Sequence, residues 1–167
     1  MAQVEIERKY VIKIPDKNTL RDLPDYTESE IVQIYVKSSS ALTHRIRSRE
    51  TDGKTVYTET KKIRIDKMSA IEDEREISGA DFYRLSKEIK EGTTPINKTR
   101  YTFTYCGKTF EIDVYPEWNE TCIMETELSS REEKVDFPPF IKIVLEVTGN
   151  KSYSNASMAK KFPKEII

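Results

Sequence analysis

Charged and apolar residues alternate along most of this 167-residue chain, and that period of two constrains its fold more than any other feature. Near the N-terminus Glu5, Glu7 and Lys9 alternate with Val4, Ile6 and Tyr10. In a strand, successive side chains point to opposite faces, so these charges share one face and the apolar residues the other. The pattern returns six times. Arg45 and Arg47 stand against Leu42 and Ile46, Lys61 with Glu59 against Val56, and Glu74 and Glu76 against Ile71 and Ile77. Lys98 and Arg100 alternate with Thr99 and Tyr101, Glu111 and Asp113 with Ile112, and Glu125 and Glu127 with Met124 and Leu128.

A single strand of this kind is an ordinary solvated surface, whose cross-strand ion pairs contribute roughly 0.2–1 kcal/mol each. Seven together are a different matter, because a sheet with one charged face needs its other face covered. Only one long helix is on hand to do that, over residues 80–91, with Ser78 or Asp81 as cap, Phe82, Leu85 and Ile89 as its apolar stripe and Gly92 as its stop. A closed barrel with charges in its lumen and apolar residues outside satisfies the pattern better.

Nine strands are expected, over roughly residues 3–13, 30–37, 41–49, 54–63, 70–78, 95–106, 109–115, 121–129 and 141–148. Turns are read at Ser38-Ser39-Ser40, Asp52-Gly53 and Cys106-Gly107. Short helical pieces are expected around 18–23, after Ser130 and over 155–161. The fold class is therefore α+β, mainly β: a closed eight-stranded antiparallel barrel with a few helices outside, in one domain over residues 1–167.

With 28 basic and 29 acidic residues the chain is near neutral, which argues against general nucleic-acid binding. No run of about 18 apolar residues occurs, so no membrane span is expected. Cys106 and Cys122 lack CxxC spacing and read as buried reduced thiols of a cytoplasmic protein. A homodimer is kept as an alternative to a monomer. His44, the one histidine, lies on the face opposite Arg45 and reads as a core or surface residue. Trp118 reads as a lid or surface residue, Lys62 and Arg64 as a surface patch, and Tyr153 either as packing or as substrate-facing.

The expected lumen holds eight acids (Glu5, Glu7, Glu74, Glu76, Glu111, Asp113, Glu125, Glu127) and six bases (Lys9, Arg45, Arg47, Lys61, Lys98, Arg100). Converging cations suit phosphate oxygens. The acid surplus calls for a divalent cation between carboxylates and phosphates, and oxygen ligands favour Mg²⁺ or Mn²⁺. The lumen reads as a site for a metal–polyphosphate complex.

In their order along the chain these residues resemble the CYTH superfamily, the triphosphate tunnel metalloenzymes. The opening Glu5-Ile6-Glu7-Arg8-Lys9 is similar to the family's ExExK. Arg45-Ile46-Arg47 resembles its paired arginines, Lys61 its strand-four lysine, and Glu74-Arg75-Glu76 its ExE. Lys98-Thr99-Arg100, Glu111-Ile112-Asp113 and Glu125-Thr126-Glu127 resemble its KxR, ExD and late ExE, and residues 148–155 its terminal segment. The resemblance implies an eight-stranded tunnel and metal-dependent hydrolysis of a small triphosphate, inorganic triphosphate first. Alternatives are thiamine or nucleoside triphosphate hydrolysis, adenylate cyclisation, and a binding module without turnover. It implies Glu5, Glu7 and Glu127, with Glu125, as metal ligands. Lys9, Arg45, Arg47, Lys61, Lys98, Arg100 and Lys151 would hold phosphates. Tyr35 would pair with Lys98, which serves either in proton transfer or as a plain phosphate clamp.

The chain departs from the family pattern in three places. Ile34-Tyr35 stands where Gly-Tyr is usual, Asn150-Lys151-Ser152 where acid-Lys-Arg is usual, and Glu72 where a basic residue often sits.

Overall fold

The hairpin turns set the register of the whole sheet. In the computed structural model, which describes residues 2–166, Asp52 and Gly53 take φ of 52° and 78°, and Cys106 and Gly107 take 49° and 72°. Two successive positive-φ residues make the tight two-residue turn that matches strand twist. Around the first turn Thr51 faces Lys54, and β3 (Thr43–Thr51) zips onto β4 (Lys54–Arg64) with Arg47 opposite Thr58 and Arg45 opposite Thr60. Around the second, β6 (Ile96–Tyr105) pairs with β7 (Lys108–Val114), with Arg100 opposite Asp113.

The remaining strands are β1 (Ala2–Lys13), β2 (Thr27–Val36), β5 (Ser69–Ile77), β8 (Thr121–Glu127) and β9 (Ile143–Glu146). Their order is β5-β4-β3-β2-β6-β7-β8-β1, every pairing antiparallel, and β1 closes the ring by pairing with β5. Closure uses the length of β1. Residues 2–6 pair with β5 and 7–13 with β8, while Tyr10–Ile12 take β9 along the edge that β5 has left. The result is an eight-stranded barrel plus one strand, and closure removes the open edges that would otherwise seek partners.

Three apolar clusters surround the charged lumen. Outside β1, β7 and β8, residues such as Tyr10, Ile12, Phe110, Ile112 and Met124 are covered by Leu20 and by Val135, Phe137 and Phe140. Outside β2 and β3, Ile34, Val36 and Ile46 are covered by Phe82 of α2 (Gly79–Ser86). The third cluster fills one end of the barrel from within. Val11, Tyr35, Ile96 and Ile123, which face inward, pack with Tyr115, Trp118, Tyr153 and Met158. Among the described residues no helix is long and apolar enough to cross a membrane.

The helices are shorter than their sequence patterns suggest. Ser78 caps α2, accepting from Asp81 N at 3.0 Å, but the helix ends at Ser86. Beyond it Lys37 N donates to Glu88 O and Lys90 N to Tyr35 O, so the end of β2 recruits the segment that would have continued the helix. After Ser130 there is a turn and then a run without regular structure. Pro138-Pro139 and the anchoring of Phe137 and Phe140 on the barrel replace the expected helix. α1 spans Lys17–Arg21 and α3 only Asn155–Met158, because Phe162 leaves to join the third cluster.

Trp118 corrects a second expectation. It is 5% exposed and donates from its indole to Pro163 O at 3.0 Å, which makes it core rather than lid. The Glu165 carboxylate, accepting from Asn119 N, Glu120 N and Thr121 N, pins the C-terminal tail over the Trp118 turn. Cys122 is buried as expected, but Cys106 occupies the β6–β7 turn and is exposed; both are free thiols. His44 lies on the outer wall, half-buried, 2.7 Å from Glu59, which also accepts from Arg75.

Candidate functional site

Alternation on eight closed strands gathers charges into one cavity of about 870 Å³. β1 contributes Glu5, Glu7 and Lys9, β3 contributes Arg45 and Arg47, and Arg100 comes from β6. Glu74, Glu111, Glu125 and Glu127 line it from β5, β7 and β8, and Lys151 from the C-terminal segment. The cavity holds more base than the sequence reading allowed: nine basic side chains against eight acidic ones.

Several of the expected residues sit elsewhere. Lys61 is exposed on the outer wall, and Lys62 lines the cavity in its place, 3.7 Å from Glu5 and 3.8 Å from Glu72. The reason is register. With a two-residue turn joining β3 and β4, the inward odd-numbered arginines of β3 face even-numbered residues of β4, and Thr43 stands opposite Lys62. Arg64 is exposed, as expected, yet it also lines the cavity for the same reason, as does Arg49 at the other end of the arginine row. Glu76 is exposed near the end of β5 and lies outside the lining. Glu72 was noted in the sequence only as a departure from a pattern, yet it belongs to the wall.

The carboxylates of the acidic wall crowd one another. Burial raises Glu5, and the adjoining Glu72 carboxyl raises it further. Glu7 is pushed well above the usual carboxylate range, first by burial and then by repulsion from Glu125. Glu127 is raised by burial and by Glu5 and Glu111. Glu125 is half-buried too, but Lys9, 3.4 Å away, holds it down at about 2. Lys9 also donates to Tyr153 O at 3.2 Å, so Tyr153 meets the lumen through its backbone while its ring packs in the core.

The basic wall has donors to spare. Arg47 spends its Nε and Nη2 on Gln33 Oε1, at 3.1 and 2.8 Å, and burial together with Arg45 and Arg100 lowers it to about 9. Arg45 donates from Nη2 to Thr60, while its Nε is buried and, among the described residues, has no acceptor. An unsatisfied buried donor costs about 1–3 kcal/mol, and an anionic ligand would remove that cost.

Beneath the lining lies a buried ion network. Asp113 accepts from Arg100 Nε and Nη2, at 2.7 and 2.8 Å, and from Lys98 at 2.8 Å. Arg100 also reaches Glu111 at 2.8 Å. The Lys98 side chain is wholly buried, and burial lowers it to about 7, reinforced by Arg100 and Arg47 and opposed by Asp113. Asn155 of α3 accepts from Lys98 at 3.4 Å and from Tyr115 at 2.8 Å. The expected Tyr35–Lys98 pair is not hydrogen-bonded among the described residues. Gln33 Nε2 donates to the Tyr35 hydroxyl at 2.7 Å instead, and the nearer Asp113 claims the ammonium.

Gly149, between β9 and a 3₁₀ turn at Lys151–Tyr153, takes φ of 73° and packs on the β4–β5 loop at the cavity rim. A Cβ there would lie 2.7 Å from Lys67 Cβ and 3.0 Å from Lys67 O. Gly149→Ala is expected to destabilise the protein by about 1–3 kcal/mol, from positive-φ strain and displacement of the Lys67 loop. Urea unfolding checks this, and an unchanged midpoint would contradict it.

No family model matches the chain, and no curated protein does. Solved structures do. A closed eight-stranded tunnel with a charged lumen defines the CYTH, or triphosphate-tunnel, fold, and this chain has it. The inorganic triphosphatase NE1496 is 26% identical, with a TM-score of 0.60 over 96% of this chain and 97% of that one. PH1819 of Pyrococcus horikoshii OT3 shares 20% identity, with a TM-score of 0.56 over 76% and 80%. HpAC1 of Hippeastrum, which reveals a dominant triphosphatase activity, shares 14%, with a TM-score of 0.51 over 76% and 81%. The last two speak for the fold alone.

Proposed function

We propose that this protein hydrolyses a terminal phosphoanhydride of inorganic triphosphate with the help of Mg²⁺ or Mn²⁺. The observation that carries the reading is the buried Arg45 Nε, without an acceptor among the described residues, on a cavity wall that also presents Arg47, Lys9 and Arg100. The likeness to an inorganic triphosphatase at 26% identity over nearly the full length supports the substrate. Among the described residues the tunnel's one lining aromatic, Tyr35, is buried and hydrogen-bonded and offers no nucleobase a platform.

The donor set fits a hard divalent ion. Among the described residues no three carboxylates form a ready cage, but Mg²⁺ is usually held by one or two carboxylates, with waters and substrate phosphates completing its shell. Glu5 and Glu7, with Glu127 and Glu125 beside them, would hold it, and its charge would offset the burial and mutual repulsion that raise Glu5 and Glu7. The ion would supply an acidified water and charge neutralisation. Arg45, Arg47 and Lys9 orient the phosphates and stabilise charge spreading over the transferred group. Arg100 is stiffened by Asp113 and Glu111, so it presents a fixed charge. Lys62, the residue that register places inside, takes the phosphate contact first assigned to Lys61.

Lys98 acts from behind the wall, a charge that keeps Asp113 and Arg100 in place. That charge is lost as pH rises through about 7, so turnover is expected to fall above that pH as the network loosens. A proton-accepting lysine would instead make turnover rise through pH 7, and such a rise, abolished by Lys98→Met, would return the lysine to proton transfer. The overall test is phosphate release from inorganic triphosphate, ATP and thiamine triphosphate, with Mg²⁺, with Mn²⁺ and with chelator. Inorganic triphosphate should be the best substrate and chelator should stop the reaction. No metal-dependent release from any of the three would defeat the proposal.

A further inference from the structure

The outside of the barrel is bare behind its acidic wall. β1, β5 and β4 turn Glu5, Glu72 and Lys62 inward, which leaves Val4, Ile71 and Ile63 pointing out. Val4 stands opposite Ile71 and Ile71 opposite Ile63, so the three make one row across three strands. They are 64%, 40% and 47% exposed, and Ile65, just past the end of β4, is 51% exposed. Elsewhere on the barrel the outward apolar rows are covered, by Phe82 over β2 and β3 and by Phe137 and Phe140 over β7 and β8. Single exposed isoleucines are ordinary, but a contiguous row of them on one sheet face marks a contact surface.

The charges beside the row say what fits it. Along the β4–β5 ladder the outward pairs next to the isoleucines are of opposite sign, Lys61 facing Asp73 and Glu59 facing Arg75. Lys61, expected in the lumen, is exposed here, and so is Asp73. Glu59 is buried and already shared between His44 and Arg75, which leaves Lys61 and Asp73 as the accessible level. Consider a second copy turned about a two-fold axis that lies along the seam between β4 and β5. Each β4 residue then comes over the β5 residue of the same level in the other copy. Ile63 packs on Ile71 of the other copy, and Lys61 lies over Asp73 of the other copy. Neither charge has to be unpaired beforehand, because four charges alternating around a square attract along every side. A face that is complementary to itself in this way is what an isologous interface requires. Two sheets meeting so are in the aligned packing of sandwiches.

We propose that this protein forms a two-fold homodimer through the outer β4–β5–β1 wall, with Ile63 and Ile71 at its centre and Lys61 and Asp73 exchanged across it. The wall is three strands wide, about 14 Å at a spacing of about 4.8 Å, and Ser69–Arg75 gives it about 24 Å of length. Two such faces bury roughly 700 Å² before side-chain relief is added, which is the class of weak, reversible contacts below about 1,200 Å². The dimer should therefore dissociate on dilution through the micromolar range.

Sedimentation equilibrium of the whole chain tests this, with thermal unfolding to show that each variant is folded. Ile71→Glu should be monomeric at every concentration. Lys61→Asp and Asp73→Lys should each weaken the dimer at least about tenfold, since like charges then meet across the axis. Mixed with each other, those two variants should pair again, because each supplies the sign the other lacks. A wild type that stays monomeric would overturn the proposal, as would a dimer that survives both charge variants. Two variants that remain monomeric when mixed would overturn it too. So would a monomeric wild type that floats with phosphatidylcholine vesicles, which would make the row a membrane contact.

Discussion

Glu7→Gln is expected to cut metal-dependent triphosphate turnover by at least about tenfold, the lower end of what disturbance around a metal site does, while making the metal-free protein more stable. The two effects have one cause. Glu7 sits half-buried beside Glu125 with its pKa raised, so its ionised form is a strain on the fold that a divalent ion would relieve. A carboxyl whose folded pKa is raised contributes stability below its unfolded value, and that contribution is lost as pH rises through the folded value. The advantage of the Gln variant should therefore be absent in acid, below the ordinary carboxylate value of 4.5. It should grow as pH rises and level off above the folded pKa of Glu7. Each kcal/mol of relief reads as roughly 2–4 °C in Tm for a chain of this size. Added Mg²⁺ or Mn²⁺ should stabilise wild type more than the variant, and raised metal should recover part of the lost turnover. Glu5→Gln should behave alike but more mildly, since Glu5 already has Lys62 at 3.7 Å. Wild-type turnover and wild-type metal response in both variants would make these carboxylates structural.

The inward charges were legible in the sequence wherever a strand could be given its parity without its partner. Glu5, Glu7, Arg45, Arg47, Glu111 and Glu125 each alternate with apolar neighbours, and all line the cavity. β4 defeated that reading because Lys61 and Lys62 are adjacent, and composition cannot choose between two lysines. The choice was still in the sequence one step away. Asp52-Gly53 signals a two-residue turn, such a turn fixes which residues of β4 face those of β3, and that places Lys62 and not Lys61 beside the arginine row.

Other features had no local signal. Trp118 lies in a polar turn, and only the returning tail buries it, through Pro163 and the Glu165 carboxylate. The shortening of α2 depends on a strand more than forty residues earlier in the chain, whose end claims Glu88 and Lys90. Asp113 shows the same limit for charge: alternation put it in the lumen with the other acids. Only the geometry shows it buried and committed to two cations, and so unlike the carboxylates crowded across the barrel.

That commitment makes Asp113→Ala the substitution with the largest expected cost to stability. Removing one partner of a buried ion pair typically costs about 3–5 kcal/mol, because the other charge stays buried without compensation. Asp113 serves two partners, Lys98 with a wholly buried side chain and Arg100, which is 6% exposed. A loss near the top of that range, about 5 kcal/mol, is a large share of the roughly 5–15 kcal/mol by which domains are stable. Arg100 retains Glu111, so most of the penalty falls on Lys98, whose remaining acceptor is Asn155 at 3.4 Å. Lys98→Met should therefore restore much of the stability lost by Asp113→Ala, since the buried amine left without its carboxylate disappears and a chain of similar length keeps the space filled. Urea unfolding of the wild type, the two single variants and the double variant measures this as a cycle. A large favourable coupling between residues 98 and 113 is the expected result. If Asp113→Ala costs less than about 1 kcal/mol, the typical cost of an average substitution, the network is not what holds the wall behind the phosphate site. Arg100 would then have to be positioned by its bond to Glu111 alone.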